Sequence, residues 1–379
     1  MATIGINLTG GGARGSYQAG ALKALAEILE KRDIKGDKNP LRVWSGTSAG
    51  AINATYCAAY SQDLYAATQN LSQLWGQLTP NQIYRTDFAS LGANSAKWIR
   101  DLSFGSLLKK KKAQSLLNTA PLGELLRKNI PFDQIQKSID AGFIDGLSCS
   151  AYSFNSSKTV SFLQTNAKIG WDRPRRISKT TSINANHVLA SCSIPLLFPP
   201  TIIDGSYYAD GGFRNTTPIS PTLHMGSNKI LMIGVRYSGK DSSTPEVNQE
   251  PGVAKIAGSI LNALFFDTLD IDLERIHHIN EIIRSVDRDI KTERSDYSVV
   301  DYKMIRPSED IAKIAQETSP KAFPRMLQFL IDGLGTKADT SDLSSYILFD
   351  SAFTQVLIDM GYRDLMARKE EIEEWILSP

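Results

Sequence analysis

Three short stretches of the sequence hold residue types and spacings that could perform acyl transfer: Gly46-Thr47-Ser48-Ala49-Gly50, Gly10-Gly11-Gly12-Ala13-Arg14-Gly15 and Asp210-Gly211-Gly212. A serine hydroxyl is a poor nucleophile unless it is held exposed beside a base. The G-x-S-x-G pattern follows an apolar run and precedes small residues of helical type, a setting in which the flanking glycines permit a sharp turn that lifts Ser48 clear of a sheet. The competing reading is a glycine-serine loop with Ser48 as a helix cap. Acyl transfer also needs donors for the oxyanion. The amides of a side-chain-free loop at a helix N-terminus, Gly10 to Gly15, can supply them, with Arg14 adding a fixed positive charge. The same six residues fit the dinucleotide fingerprint G-x-G-x-x-G after a strand. Such a site, however, places an acidic residue at the end of the second strand, where this chain has Gly46-Thr47-Ser48 and no carboxylate.

The base has two sources. An ordinary α/β-hydrolase order would put a histidine late in the chain, after an acid. His187 precedes the candidate acid, His224 sits in a loop-like context, and His277-His278 lies in an amphipathic segment beside Arg275 and Glu281. Asp210 instead follows a short strand pair and is succeeded by two glycines, which let the backbone bend and a neighbouring group approach the carboxylate. Standing alone, Asp210-Gly211-Gly212 would read as a hairpin turn.

The elements that must position these groups are legible as patterns. Thr3 to Thr9 is a β-type run that stops at the glycines, and from Ser16 to Lys31 apolar residues recur at helical spacing. Leu41-Arg42-Val43-Trp44 is a second strand running into Gly46, with a buried helix over Ala51 to Tyr60. Two consecutive strand–turn–helix units indicate an α/β layer with at least part of its sheet parallel. Gly146 to Phe154 and Lys158 to Gln164 form a hairpin pair around Asn155-Ser156-Ser157, Ile202 to Tyr208 a tight strand–turn–strand that delivers Asp210, and Lys229 to Arg236 a doubly covered strand. Leu64 to Ile139, Val253 to Ile283 and Ile311 to Ile376 are mainly helical in pattern, with a strand near Asp301 to Ile305. The polar stretch Tyr237 to Gly252 marks a boundary, giving a catalytic domain over 3–236 and a mainly helical C-terminal extension over 253–379 packed on or beside it.

Bulk properties exclude several classes. With 42% hydrophobic and 22% charged residues the chain is a globular enzyme in profile, and a net charge of +2 gives no overall reason to expect nucleic acid. Cys57, Cys149 and Cys192 are odd in number and widely separated, which suits buried free thiols in a reducing compartment. The N-terminus lacks a signal peptide's basic and apolar regions, and no run of about 20 apolar residues could span a bilayer. A cytoplasmic protein, peripheral at most to a membrane, is the expectation.

Taken together, in this order and at these separations, Gly10 to Gly15, Gly46 to Gly50 and Asp210 to Gly212 resemble the patatin-like phospholipase family, in its bacterial type. Ala190 to Pro195 with Phe198-Pro199-Pro200, and Ser115 to Ile130, are similar to further family segments, so the resemblance covers roughly Thr3 to Arg236. It implies a three-layer α/β/α fold around a mixed, largely parallel sheet, and a lipid acyl hydrolase of phospholipase A or lysophospholipase type that needs no metal or cofactor. Residue by residue it implies Ser48 as nucleophile, Asp210 as proton acceptor, Gly11, Gly12 and Arg14 as the oxyanion site, and Gly10, Gly15, Gly46, Gly50, Gly211 and Gly212 as the motif glycines. Thr9 departs from the family, many of whose members have an aspartate there. An acyltransferase or neutral-ester esterase using the same Ser–Asp dyad, and a non-catalytic dinucleotide-binding protein, stay open as alternatives.

A lipid substrate lies in an aggregate. Lys109, Lys110, Lys111 and Lys112, close in sequence to Trp98, Phe104 and Leu107, could dock on anionic headgroups, or could equally be a solvated face. Headgroup preference, the ester position cleaved and the oligomeric state leave no mark on the sequence.

Overall fold

A computed structural model describes residues 3–85, 115–237, 239, 252–263, 268–285, 298–323, 328 and 337–378. Lys109 to Lys112, together with Trp98, Phe104 and Leu107, lie outside the described residues.

Among the described residues the core is one ten-stranded sheet. Its strands are β1 (Ile4–Leu8), β2 (Leu41–Thr47), β3 (Gly146–Ser153), β4 (Lys158–Thr165), β5 (Asp172–Arg173), β6 (Arg176–Thr180), β7 (Thr201–Ile203), β8 (Ser206–Asp210), β9 (Lys229–Ile233) and β10 (Asp301–Ile305). Along the main path the order is β10-β9-β1-β2-β3-β4-β6-β5. From β10 to β3 every pairing is parallel; β4 then runs antiparallel to β3, and β6 parallel to β4. The sequence missed β5 and β6, whose short polar stretches carry no apolar alternation.

Helices cover both faces, and β9 shows how. Its residues are all buried, Leu231 and Ile233 entering the main core while Ile230 and Met232 join a second cluster with Leu269 and Ile276. That second cluster is roofed by the helix Thr268–Ser285. On the main face, α1 (Gly15–Lys31) is buried over most of its length, and full burial of Leu22, Leu25, Ile28 and Leu29 contributes roughly 1.5–3 kcal/mol each. Helices α2 (Ala49–Ala59) and α3 (Leu64–Gly76) flank α1, and the C-terminal helix Ser351–Met366 lies along it. The result is a three-layer α/β/α arrangement around a mixed, mostly parallel sheet, as the sequence patterns and the resemblance imply.

The register around β3 decides which strand ends meet. Strand β3 is paired with β4 along its whole length on one flank. On the other flank it is shared: β2 covers Gly146 to Ser150 and β8, arriving from the opposite direction, covers Ala151 to Ser153. Strands β2 and β8 therefore meet end to end, Thr47 opposite Ser150 and Asp210 opposite Ala151. All three cysteines are buried and unpaired. Among the described residues no helix is long and apolar enough to cross a membrane.

Candidate active site

The end-to-end meeting of β2 and β8 puts Ser48 and Asp210 together. Ser48 is the first residue past β2 and caps α2 with φ 55° and ψ −126°, a conformation that costs a non-glycine residue of order 1–3 kcal/mol and is held only where the surroundings impose it. Here they do. The Ser48 amide donates to Ser191 Oγ at 2.8 Å, and that hydroxyl donates in turn to the Ser150 carbonyl at 2.6 Å. Gly50 lies against the Leu8 and Thr9 carbonyls, and Gly46 against the backbone of Gly50, so both sides of the turn are crowded by main chain.

Asp210 ends β8 and is fully buried. Its amide donates to the Ser193 carbonyl at 2.8 Å, and its Oδ1 accepts from the Gly212 amide at 2.8 Å, making it the cap of a short 3-10 turn instead of a hairpin turn. Among the described residues Oδ2 has no partner at ordinary hydrogen-bond distance, although Ser48 is near enough to favour the ionised form. A side chain on Gly211 would meet the Ser150 carbonyl and the Thr47 methyl, so only glycine lets Asp210 approach the end of β2 this closely. Burial lifts the carboxyl from 3.8 to about 7, against the opposing pull of Ser48 and the Gly212 amide.

That shift has a stability consequence. Because the folded carboxyl holds its proton to a higher pH than the unfolded one, its contribution is fully present below the unfolded pKa, is lost progressively as pH rises to about 7, and changes no further above that. Asp210→Asn is therefore expected to melt higher than the parent at pH 8, by up to about 4 kcal/mol of stability, with the gap shrinking toward pH 4.5. Thermal melts at the two pH values check this; a variant destabilised equally at both would contradict it.

No histidine competes for the place beside Ser48. His187 is buried with its pKa lowered to about 4 by desolvation, and its Nδ1 accepts from the Asn184 amide in a helix cap while the ring packs edge-on against Phe162. His224 bonds within its own helix to Ser220, and His277 and His278 are exposed.

The glycine loop between β1 and α1 completes the constellation. Gly12 has φ +58° and shares with Ser48 the lining of one cavity. The amides of Gly11 and Gly12 have no partner among the described residues, and they lie just ahead of the N-terminus of α1, where the helix dipole adds positive potential. Arg14 is buried, but its guanidinium is engaged by the helix Lys337–Ile347: Nε donates to Ser345 Oγ at 2.8 Å, Nη2 reaches Asp342 Oδ1 at 3.3 Å, and the group stacks 4.6 Å from the Tyr346 ring centroid. Arg14 thus pins the loop to the C-terminal region, a role the sequence did not suggest.

A buried polar chain, also unseen in the sequence, ties the loop to the Ser48 helix. Trp75 Nε1 donates to Asn53 Oδ1 at 2.7 Å; Asn53 Nδ2 donates to the Gly15 carbonyl and Gln18 Oε1, both at 3.0 Å; Gln18 Nε2 donates to the Thr9 and Ile233 carbonyls, both at 2.9 Å. Each member is satisfied, so the chain fixes β1, α1, α2 and α3 relative to one another.

Beside Ser48 lies a narrow cavity lined by apolar side chains including Ile52, Leu122, Leu126, Ile194 and Phe198. Its volume is about 40 Å³, room for a few waters at most. An apolar chain would enter by parting side chains.

A family model for patatin-like phospholipases matches residues 7–223, more than half of the chain. Among solved structures, VipD from Legionella pneumophila is 14% identical with a TM-score of 0.38 over 98% of this chain and 67% of its own. Human GIVD cytosolic phospholipase A2 in complex with methyl gamma-linolenyl fluorophosphonate is 11% identical with a TM-score of 0.45 over 99% of this chain. The chain spans 59% of the length of that human protein. No curated protein matches. On the family match, over the same stretch that holds Gly12, Ser48 and Asp210, the chain belongs to the patatin-like phospholipase family of lipid acyl hydrolases.

Proposed function

We propose that the protein cleaves fatty-acyl esters of phospholipids or lysophospholipids through a Ser48–Asp210 dyad and an acyl-enzyme. The observation that carries this reading is a strained serine turn abutting a buried carboxylate at the wall of an apolar cavity. As Ser48 Oγ attacks the ester carbonyl carbon, its proton passes to Asp210 Oδ2. The charge that develops on the carbonyl oxygen is met by the Gly11 and Gly12 amides, while the acyl chain parts the side chains of the cavity. Collapse of the tetrahedral intermediate breaks the carbon–oxygen bond to the alcohol, which leaves with the proton from Asp210. Water then attacks the acyl-enzyme, giving its proton to Asp210, and the fatty acid leaves as Ser48 regains a proton from the same carboxyl. A pKa near 7 suits both halves, since a base poised near the working pH accepts and returns a proton with comparable ease.

The test is covalent labelling by a long-chain fluorophosphonate, read by mass spectrometry. Ser48 is the expected adduct, and the labelling rate should rise with pH as Asp210 ionises and level off above about 7. Labelling at another residue, or none at all, would remove the dyad reading. A rate that keeps climbing through pH 9 would remove Asp210 as the base.

A further inference from the structure

The sheet edge that delivers Ser48 also carries a set of features the dyad does not use. Strand β3 continues past the level of Thr47, which pairs with Ser150, so Phe154 stands four residues, about 13 Å, further out. Three hairpin turns crown this same edge: Asn155 to Ser157 between β3 and β4, Pro174 and Arg175 between β5 and β6, and Asp204 and Gly205 between β7 and β8.

Register makes an apolar row across two of them. Tyr207 pairs with Ile202, and the Phe154 amide donates to the Tyr207 carbonyl at 3.0 Å, continuing the β3–β8 pairing by one step. The three side chains therefore share a face, and they are 48%, 42% and 52% exposed for Phe154, Tyr207 and Ile202. Inward along the same face the row continues through Tyr152, 5.4 Å from Phe154, to Phe213, 5.0 Å from Tyr152. Phe213 belongs to the turn that Asp210 caps. A second exposed apolar group, Leu196 at 63%, has φ +70° on the loop whose Ile194 and Phe198 line the cavity. A side chain of that size held outward in a left-handed conformation is costly unless something rewards it.

The charge around the row is one-sided. Between Gly146 and Met225 the sequence has seven basic residues and three acidic ones, for a chain whose total is only +2. Asp172 and Asp204 are paired to Lys158 and Lys179, and Asp210 is buried. Arg173, Arg175 and Arg214 are exposed and make no ion pair among the described residues. They sit at the hairpin edge, where Arg214 donates to the Ser157 carbonyl and the Arg175 carbonyl accepts from the Thr159 amide.

We infer that the β3–β4, β5–β6 and β7–β8 hairpin edge docks on an anionic lipid surface, inserting Phe154, Ile202 and Tyr207 while Arg173, Arg175 and Arg214 meet the headgroups. Exposed aromatic and aliphatic side chains flanked on one side by arginines without ion pairs among the described residues fit an interface that is apolar below and negative at its surface. Docked this way, the end of β2 that carries Ser48 lies about 13 Å behind the inserted Phe154. The inference rests on the proposed lipid substrate, but its test does not.

The full chain is mixed with sucrose-loaded vesicles of phosphatidylcholine alone or with phosphatidylglycerol, and binding is read by sedimentation. The wild type should prefer the anionic vesicles. Arg173→Gln/Arg175→Gln/Arg214→Gln should lower that partition by roughly 100-fold, each basic residue near such a surface being worth about fivefold. Phe154→Ser/Ile202→Ser/Tyr207→Ser should lower binding to both vesicle types at least about 10-fold. Both variants should hydrolyse a soluble short-chain ester at the wild-type rate. If wild-type protein ignores vesicles, or if the charge variant, whose exposed substitutions leave the core untouched, binds as well as wild type, the inference is overturned. It is equally overturned if the apolar variant keeps its vesicle binding but changes solution mass, which would make the row a contact between copies of the chain. Failure of the hydrolase reading would look different: no ester turnover by any protein, with vesicle binding still responding to the substitutions.

Discussion

Ser48→Ala and Asp210→Asn are each expected to cut fatty-acid release from mixed phospholipid vesicles by roughly 10⁴-fold or more, while a variant with all four histidines replaced keeps the wild-type rate within about tenfold. The alanine removes the attacking oxygen outright. The asparagine is the sharper probe, because it preserves shape and the acceptor for the Gly212 amide but cannot take a proton. The two losses should not multiply in the double variant, since nucleophile and base act as a unit. The histidine arm separates this chemistry from a Ser–His–Asp arrangement. His187 and His224 would be changed to asparagine, which can keep a polar atom for the Asn184 amide and for Ser220, whereas His277 and His278 are exposed. Loss of activity in the folded histidine variant would hand the base role to an imidazole; survival of activity in Asp210→Asn would take it from the carboxylate.

How much of this is legible in the sequence depends on how local each feature is. The strand–turn–helix at Gly46 to Gly50 is written in consecutive residues: an apolar strand, two glycines and a helix of small residues. The same holds for the glycine loop ahead of α1 and for the strand pair that ends in Asp210. What puts Ser48 beside Asp210 is not local, because it follows from β8 entering the flank of β3 at the point where β2 stops, a register between segments far apart in the chain. Ser191 illustrates the intermediate case. It stands in a stretch that the sequence marks as family-like, but nothing there says that its hydroxyl bridges the Ser48 amide and the Ser150 carbonyl. Arg14 is the extreme one: its charge is plain, yet its partners Asp342, Ser345 and Tyr346 come from a helix near the other end of the chain, which no pattern around Arg14 announces. The polar chain Trp75–Asn53–Gln18 is hidden for a related reason, since uncharged amides on helices read as surface residues until packing buries them.

Gly12→Ala is expected to be the most damaging single change outside the dyad, lowering kcat on a soluble ester by about 10²–10³-fold with a much smaller change in KM. Two costs coincide at this position. The φ of +58° is one an alanine adopts only with strain of order 1 kcal/mol or more, and the new methyl would meet the Tyr346 carbonyl, which belongs to rigid main chain and cannot swing aside. The loop can relieve the contact only by moving away from the helix Lys337–Ile347, and that movement carries the Gly11 and Gly12 amides off the place where the oxyanion forms. Ground-state binding depends instead on the apolar cavity, most of whose lining comes from α2, α3, the helix Ala120–Asn129 and the Ile194–Phe198 loop, so KM should move little. Arg14→Lys offers the graded companion, because a lysine retains the charge but cannot both bond Ser345 and stack over Tyr346, and a loop loosened this way should lose about 10-fold in kcat. A Gly12→Ala enzyme that keeps its kcat would mean that the loop amides do not meet the oxyanion. If KM rises while kcat holds, the loop is part of the acyl-binding wall and the charge on the carbonyl oxygen must be met elsewhere, the N-terminus of α2 behind Ser48 being the nearest source of free amides.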